Sequence, residues 1–228
     1  MVWKSIKTTL GRATGNGSVQ DREVQGLYVD HLRAVLRLAE SCSYERVHTH
    51  QVTRLALKLF DELQPLHVLG PNERFYLNCA ALLHDIGRVA RDKGHHKESL
   101  KIVMRSPLLA FDRQTRRIIG SVARYHTKAA PSKKHGHFLR LETEHRRVVM
   151  LLSAILRLAD ALDRTHRTLV HQLWCEVNGK QIIVWCVLRG DPKHHRTLYR
   201  RALEKGKLLE KVYKRDLVIE CVALKNLD

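Results

Sequence analysis

Residues 78–87 read NCAALLHDIG, an apolar run that leads straight into His84 and Asp85 and closes on Gly87. Upstream, Pro71-Asn72-Glu73 is a helix start, since proline suits the first helical position and an acidic residue suits the first turn. The segment therefore reads as one buried helix from about residue 71 to Gly87, carrying two ionisable side chains near its end. A buried polar group without a partner costs roughly 2–7 kcal/mol, and a charged one more. His84 and Asp85 must find partners elsewhere in the chain.

The surrounding sequence supplies more helices. Leu27, His31/Leu32, Leu36 and Leu38/Ala39 predict one over about 24–40, and Val52, Leu55/Ala56, Leu59 and Leu63 another over about 44–63. A short helix over about 96–104 follows Gly94 and stops before Pro107. Asp112 is the expected N-cap of a helix through Arg124, Tyr125 and His126. Residues 127–140 (TKAAPSKKHGHFLR) read as a basic loop. The helix over about 143–163 is apolar almost all round (VVMLLSAILRLADAL, 148–162), which places it in the middle of the bundle.

Beyond it the period changes. Strands over 170–177 and 181–188 flank Asn178-Gly179, a strong hairpin signal. A basic helix over about 195–213 and a strand over 217–222 follow. The fold class is mainly α: a helical bundle over 21–168, with a small C-terminal α+β extension (hairpin, helix, strand) over 169–228 packed on it. Residues 1–20 read as a flexible basic arm.

Composition bounds the function. Of 228 residues, 44% are hydrophobic and 28% charged, as in ordinary globular proteins. No stretch approaches the roughly 18 apolar residues of a membrane span. The first 20 residues lack the apolar core of a secretory signal. A cytoplasmic protein is expected, with no membrane partner. Forty-one Lys and Arg against 23 Asp and Glu leave a formal net charge of +18, which favours polyanionic partners. Five scattered cysteines fit reduced thiols better than disulfides or a zinc site.

Two further ionisable groups sit where a core should not tolerate them alone. His48 lies one turn before Val52 on the inward stripe, and Asp160 interrupts the most hydrophobic helix. Each has an ordinary reading on its own: a hydrogen-bonded core histidine, or an aspartate paired with Arg157 or Arg164 at i−3 and i+4. Together, on three separate inward-facing helices, His48, His84, Asp85 and Asp160 are satisfied by one divalent cation. A mixed imidazole and carboxylate set suits manganese, iron, zinc, nickel or cobalt better than calcium, with magnesium left open.

The order His48, His84-Asp85, Asp160 resembles that of the HD-domain metal-dependent phosphohydrolases, an all-helical superfamily. The chain is more similar still to the C-terminal HD domain of the exopolyphosphatase/guanosine pentaphosphate phosphohydrolase family. The residues carrying this are HTHQVTRLALKLFDEL (48–63), AALLHDIG (80–87), GHHKES (94–99), RYHTKAAP (124–131) and AILRLADALDRTH (154–166), and the likeness spans about 40–222.

The resemblance implies an HD-type bundle in which His48, His84, Asp85 and Asp160 ligate a first metal. His96, or its neighbour His95, and His126 would serve a second ion. His84 and Asp85 become the catalytic pair, with Asp85 bridging. Lys97, Arg124, Lys128, Arg157 and Arg164 adjoin these ligands and would hold phosphate oxygens; each has the alternative of neutralising a neighbour or sitting solvated. The implied activity is metal-dependent hydrolysis of a nucleotide, a (p)ppGpp-like compound or polyphosphate. Two departures limit the transfer. The family's exopolyphosphatase activity is credited to two ATPase-like domains, whose Gly-rich phosphate loops are absent from these 228 residues. Glu98 stands where many relatives carry another histidine.

A different class of function stays open. From Arg189 to Arg215, ten Lys/Arg face three Asp/Glu. Such a face fits a non-catalytic module binding polyphosphate, nucleotide or RNA, although sparse aromatics argue against base stacking. A partner for separately encoded ATPase-like domains is a third reading, and a homodimer is left open.

Overall fold

The computed structural model describes residues 19–192 and 196–224. It is mainly helical, with a small three-stranded sheet at its C-terminal end. Helices α1 (Val19–Ser41), α2 (Arg46–Glu62), α3 (Gln64–His67) and α4 (Pro71–Leu82) are followed by a 3-10 turn over Ile86–Val89. Then come α5 (His95–Arg105), α6 (Arg113–Arg124), α7 (Gly136–Leu139) and α8 (Thr143–Leu162). Strands β1 (Val170–Val177) and β2 (Gln181–Leu188), helix α9 (Arg196–Tyr213) and strand β3 (Asp216–Ala223) complete the order.

Helix α8 has no polar stripe along its central turns, and it is buried from Val148 to Leu162 apart from the partly covered Met150 and Asp160. It packs against α2, α4, α6 and α9. Burying one Leu or Ile side chain stabilises by roughly 1.5–3 kcal/mol, and Leu152, Ile155 and Leu158 are wholly covered. This helix is the axis on which the ionisable side chains converge.

Local signals set several boundaries. Asp112 caps α6, its Oδ1 accepting from the Gln114 and Thr115 amides at 2.7 and 3.0 Å; such a cap contributes about 1 kcal/mol. Pro71 opens α4, and Glu73 Oε2 accepts the Gly70 amide at 2.8 Å. The hairpin forms at the expected strands, with Trp174 opposite Trp185 and their rings stacked at 5.9 Å. Its turn depends on Asn178, whose Oδ1 accepts from the Lys180 and Gln181 amides. Strand β3 lies parallel to β2, reached through α9, as a parallel pair requires of its connection.

Three expectations need correction. The helix predicted to run to Gly87 ends at Leu82, and His84 and Asp85 stand in the turn that follows. An apolar run alone cannot separate a helix from a buried turn. Gly87 is not the helix stop either. A Cβ there would meet His95 O at 2.0 Å and Ser99 N at 2.6 Å, so the glycine allows the 3-10 turn to lie directly on α5. The loop over 127–140 also contains α7. Of the basic arm expected over 1–20, residues 1–18 lie outside the described residues, and Val19 and Gln20 begin α1.

Candidate functional site

Two helix ends present histidines in the same posture. Past the last residue of α4, His84 donates its Nδ1–H to Ala81 O at 2.7 Å. Past the end of α6, His126 does the same to Ala123 O at 2.7 Å. In both, the imidazole reaches back three residues, occupies a terminal helix carbonyl and turns Nε2 outward. The negative end of each helix dipole also favours a cation nearby. At the start of α5, His95 donates Nδ1–H to Asp92 O at 2.8 Å. On α2, His48 donates Nδ1–H to Asp163 Oδ2 at 2.9 Å. All four rings are thereby fixed in the tautomer whose Nε2 carries a free lone pair, as metal-ligating histidines are.

These nitrogens meet two carboxylates. His48, His84 and Asp160 form one triad and Asp85, His95 and His126 a second, with the donor atoms of each within 4.8 Å of one another. In the first, Asp160 Oδ1 lies 3.6 Å from His48 Nε2 and 4.0 Å from His84 Nε2. In the second, Asp85 Oδ1 lies 3.1 Å from His95 Nε2 and 3.4 Å from His126 Nε2, and the two Nε2 atoms are 3.2 Å apart. Two atoms bound at about 2.2 Å to a common ion are separated by at most about 4.4 Å. Asp85 joins the triads, its Oδ2 lying 3.9 Å from His84 Nε2.

The donors fit a cation for a further reason. His48 Nε2, His84 Nε2 and Asp85 Oδ1 are buried and make no hydrogen bond. With the Nδ1 protons already engaged, the centre is a convergence of lone pairs, a donor set that suits a cation. The proton equilibria agree. Burial works to lower the His48 pKa, yet Asp160 and Asp163 overcome it and raise it to about 9. Burial is likewise outweighed at His95, whose pKa Asp85 raises. His126 goes the other way, lowered by burial and by His84 to about 3. Asp160 is held at about 2 against burial, chiefly by His48, and Asp85 lies well below the usual carboxylate range because of His84, His95, His126 and Arg88.

The site opens into a cavity of about 560 Å³ walled by Asp85 and Asp160, with cations around them, a size ordinary for small-molecule sites. Lys128 and Arg164 line it and are exposed. Arg157 lines it too, but is already engaged. Its guanidinium donates to Tyr125 O at 3.0 Å and Lys128 O at 3.2 Å, clamping the segment that carries His126. Lys97 and Arg124 are not part of the wall. His96 reaches the cavity yet stands apart from the triads; its buried Nδ1 has no partner, and burial, His95 and Arg124 lower its pKa to about 4. Of the two neighbours, the structure brings His95 to Asp85. Glu98 is tied to Arg91 and Lys101 on the surface.

Several participants escaped the sequence reading. Asp163 orients His48, and the signal was its place three residues after Asp160. Ser99 donates to His84 O at 2.8 Å and accepts the Gly87 amide at 3.0 Å, fastening the His-Asp turn to α5. His166 stacks on His48 at 3.7 Å and donates to Glu45. Arg88 Nε holds Asp85 Oδ2 at 2.6 Å.

Among the described residues, no helix is long and apolar enough to cross a membrane. A family model described as Ppx/GppA phosphatase, domain III, matches residues 31–206, a span that includes every donor of both triads.

Proposed function

Because the chain belongs to the Ppx/GppA phosphatase domain III family, we propose that it is a metal-dependent phosphohydrolase of the HD type. Its substrate would be a phosphate ester or anhydride of a nucleotide, a (p)ppGpp-like compound or polyphosphate. The observation that carries this reading is the pair of three-donor clusters joined by Asp85, with Asp160 of the first and Asp85, His95 and His126 of the second lining one cavity.

His48, His84 and Asp160 would hold one divalent cation, and Asp85, His95 and His126 a second. Transition-metal ions suit this nitrogen and oxygen set. Bound there, such an ion supplies Lewis-acid polarisation of a phosphoryl oxygen and lowers the pKa of water. The chain's own contribution is placement. Asp163, Ala81 O, Asp92 O and Ala123 O fix the imidazole tautomers. Lys128 and Arg164 would meet phosphate oxygens from the wall, and Arg157 keeps the His126 segment in position.

One observation favours a second reading. The matching family model describes one domain of a phosphatase, so the same scaffold serves equally as a module that binds polyphosphate or a nucleotide without turnover. A phosphate-release screen over nucleotides and polyphosphate with each divalent metal separates the two. The hydrolase reading expects release by the wild type and none by the double variant His84→Ala, Asp85→Ala. Tight anion binding with no release under any metal supports the module instead.

A further inference from the structure

Helix α9 belongs to the C-terminal extension, yet two of its side chains, Arg201 and Lys205, line the cavity of Asp85 and Asp160. They are one turn apart on the same helix face. Arg201 is exposed at the rim, 3.4 Å from Glu204, while Lys205 is half-buried. Lys205 Nζ donates to Thr127 Oγ1 at 2.8 Å, and among the described residues no carboxylate lies within ion-pair distance of it. Burial lowers its pKa; Asp160 opposes this, while Arg157, Arg164 and Lys128 add to it.

A cation withdrawn from water, surrounded by like charge and held only by a hydroxyl, costs stability. Its position is nevertheless built. Gly206, the next residue, lets α9 lie so close to β3 that a Cβ there would be 2.1 Å from Leu217 Cδ2. Thr127, which receives the ammonium, adjoins His126 of the second triad. Local rules broken without a compensating contact mark functional positions. At this point the wall of the cavity suits an anion. Once Asp85 and Asp160 are engaged by cations, the remaining wall is dominated by Lys and Arg.

We infer that Lys205, oriented by Thr127 and assisted at the rim by Arg201, is a phosphate-binding residue delivered by α9 to the candidate metal centre. It would grip a phosphate group of a polyanion that enters the cavity along α9. This makes the extension a wall of the site rather than an appendage. That this polyanion is turned over rests on the hydrolase reading, but anion binding tests the role of Lys205 separately.

The test is calorimetric titration of tripolyphosphate into the full chain, with EDTA and again with Mn2+, for the wild type, Lys205→Met, Lys205→Arg and Arg201→Gln. Loss of a charge-assisted hydrogen bond predicts affinity about tenfold weaker or more in Lys205→Met. Arginine should restore it to within about threefold, and the exposed Arg201 should matter less. Mn2+ uptake by Lys205→Met should be unchanged or tighter, since a repelling charge is gone, and its melting temperature should not fall. Wild-type anion affinity in Lys205→Met overturns the inference. So does joint loss of Mn2+ and anion, which marks a structural lysine, or a wild type that binds no tripolyphosphate. Should the phosphate-release screen find no substrate while Lys205→Met still weakens tripolyphosphate binding, the hydrolase reading fails and the phosphate-binding role of Lys205 stands. Release by the wild type with equal anion binding in both leaves the reverse.

Discussion

Replacing Asp163 by asparagine tests whether the orientation of His48 is what creates the first donor triad. In the structure Asp163 is buried, and its two oxygens serve two donors: Oδ2 accepts His48 Nδ1–H at 2.9 Å, and Oδ1 accepts the Thr168 amide at 2.8 Å. An asparagine has one oxygen, so one of those donors must face an NH2 group. If the amide nitrogen faces Thr168, a buried donor is left unsatisfied, at a cost of about 1–3 kcal/mol. If it faces His48, the imidazole moves its proton to Nε2, and the ligating lone pair is lost. Removal of such an orienting partner typically costs 10–100-fold in metal affinity, or about 1.4–2.8 kcal/mol. The assay is competition for Mn2+ or Zn2+ against a chromophoric chelator, with melting temperature in EDTA measured alongside. Asp163→Asn should bind metal at least about tenfold more weakly and melt lower. Wild-type affinity in a folded variant would refute the tautomer argument.

Gly87→Ala should lower the melting temperature and empty the Asp85, His95, His126 cluster of metal, because main-chain atoms at 2.0 and 2.6 Å cannot yield to a methyl group; overpacking of this kind costs about 1–3 kcal/mol. A variant with wild-type melting and metal content would show that the close approach is not what the glycine is for. Arg157→Lys cannot bond Tyr125 O and Lys128 O together, so hydrogen exchange over 125–128 should rise and phosphate release fall about tenfold; unchanged exchange contradicts the clamp. His67 is buried with both nitrogens used, Nε2 donating to Phe60 O and Nδ1 accepting the Leu69 amide, and burial lowers its pKa. The unfolded chain therefore takes up the proton first, so this contribution to stability is complete above the ordinary value near 6.5 and falls away as pH drops below it. Urea unfolding between pH 8 and 5 should show a shallower pH dependence in His67→Asn than in the wild type, and parallel curves would contradict it.

What could be read from the sequence is what short-range chemistry decides. Helix α8 followed from an apolar surface with no wet stripe, α6 from its aspartate cap, and the hairpin from two β-rich runs around Asn178. His48, His84, Asp85 and Asp160 were legible because each is a polar group on a segment otherwise committed to the interior. What escaped depends on contacts between distant segments. The end of α4 at Leu82 was hidden because a buried turn is as apolar as a buried helix. The role of Gly87 is set by the α5 backbone crossing it. His95 and His96 are about 100° apart around α5, and only the packing of α5 on the His-Asp turn chooses between them. Ser99 and Lys205 act on partners at least 15 residues away in the chain, so no local spacing announces them.

The central claim is that two separate cation positions flank Asp85. Anomalous diffraction from crystals of the full chain soaked in Mn2+ tests it directly. The account predicts two peaks about 3.5–4 Å apart, the spacing of paired catalytic metals, one among His48, His84 and Asp160 and the other among Asp85, His95 and His126. An absence of Mn2+ at these six side chains, or a peak held by other residues, would contradict it.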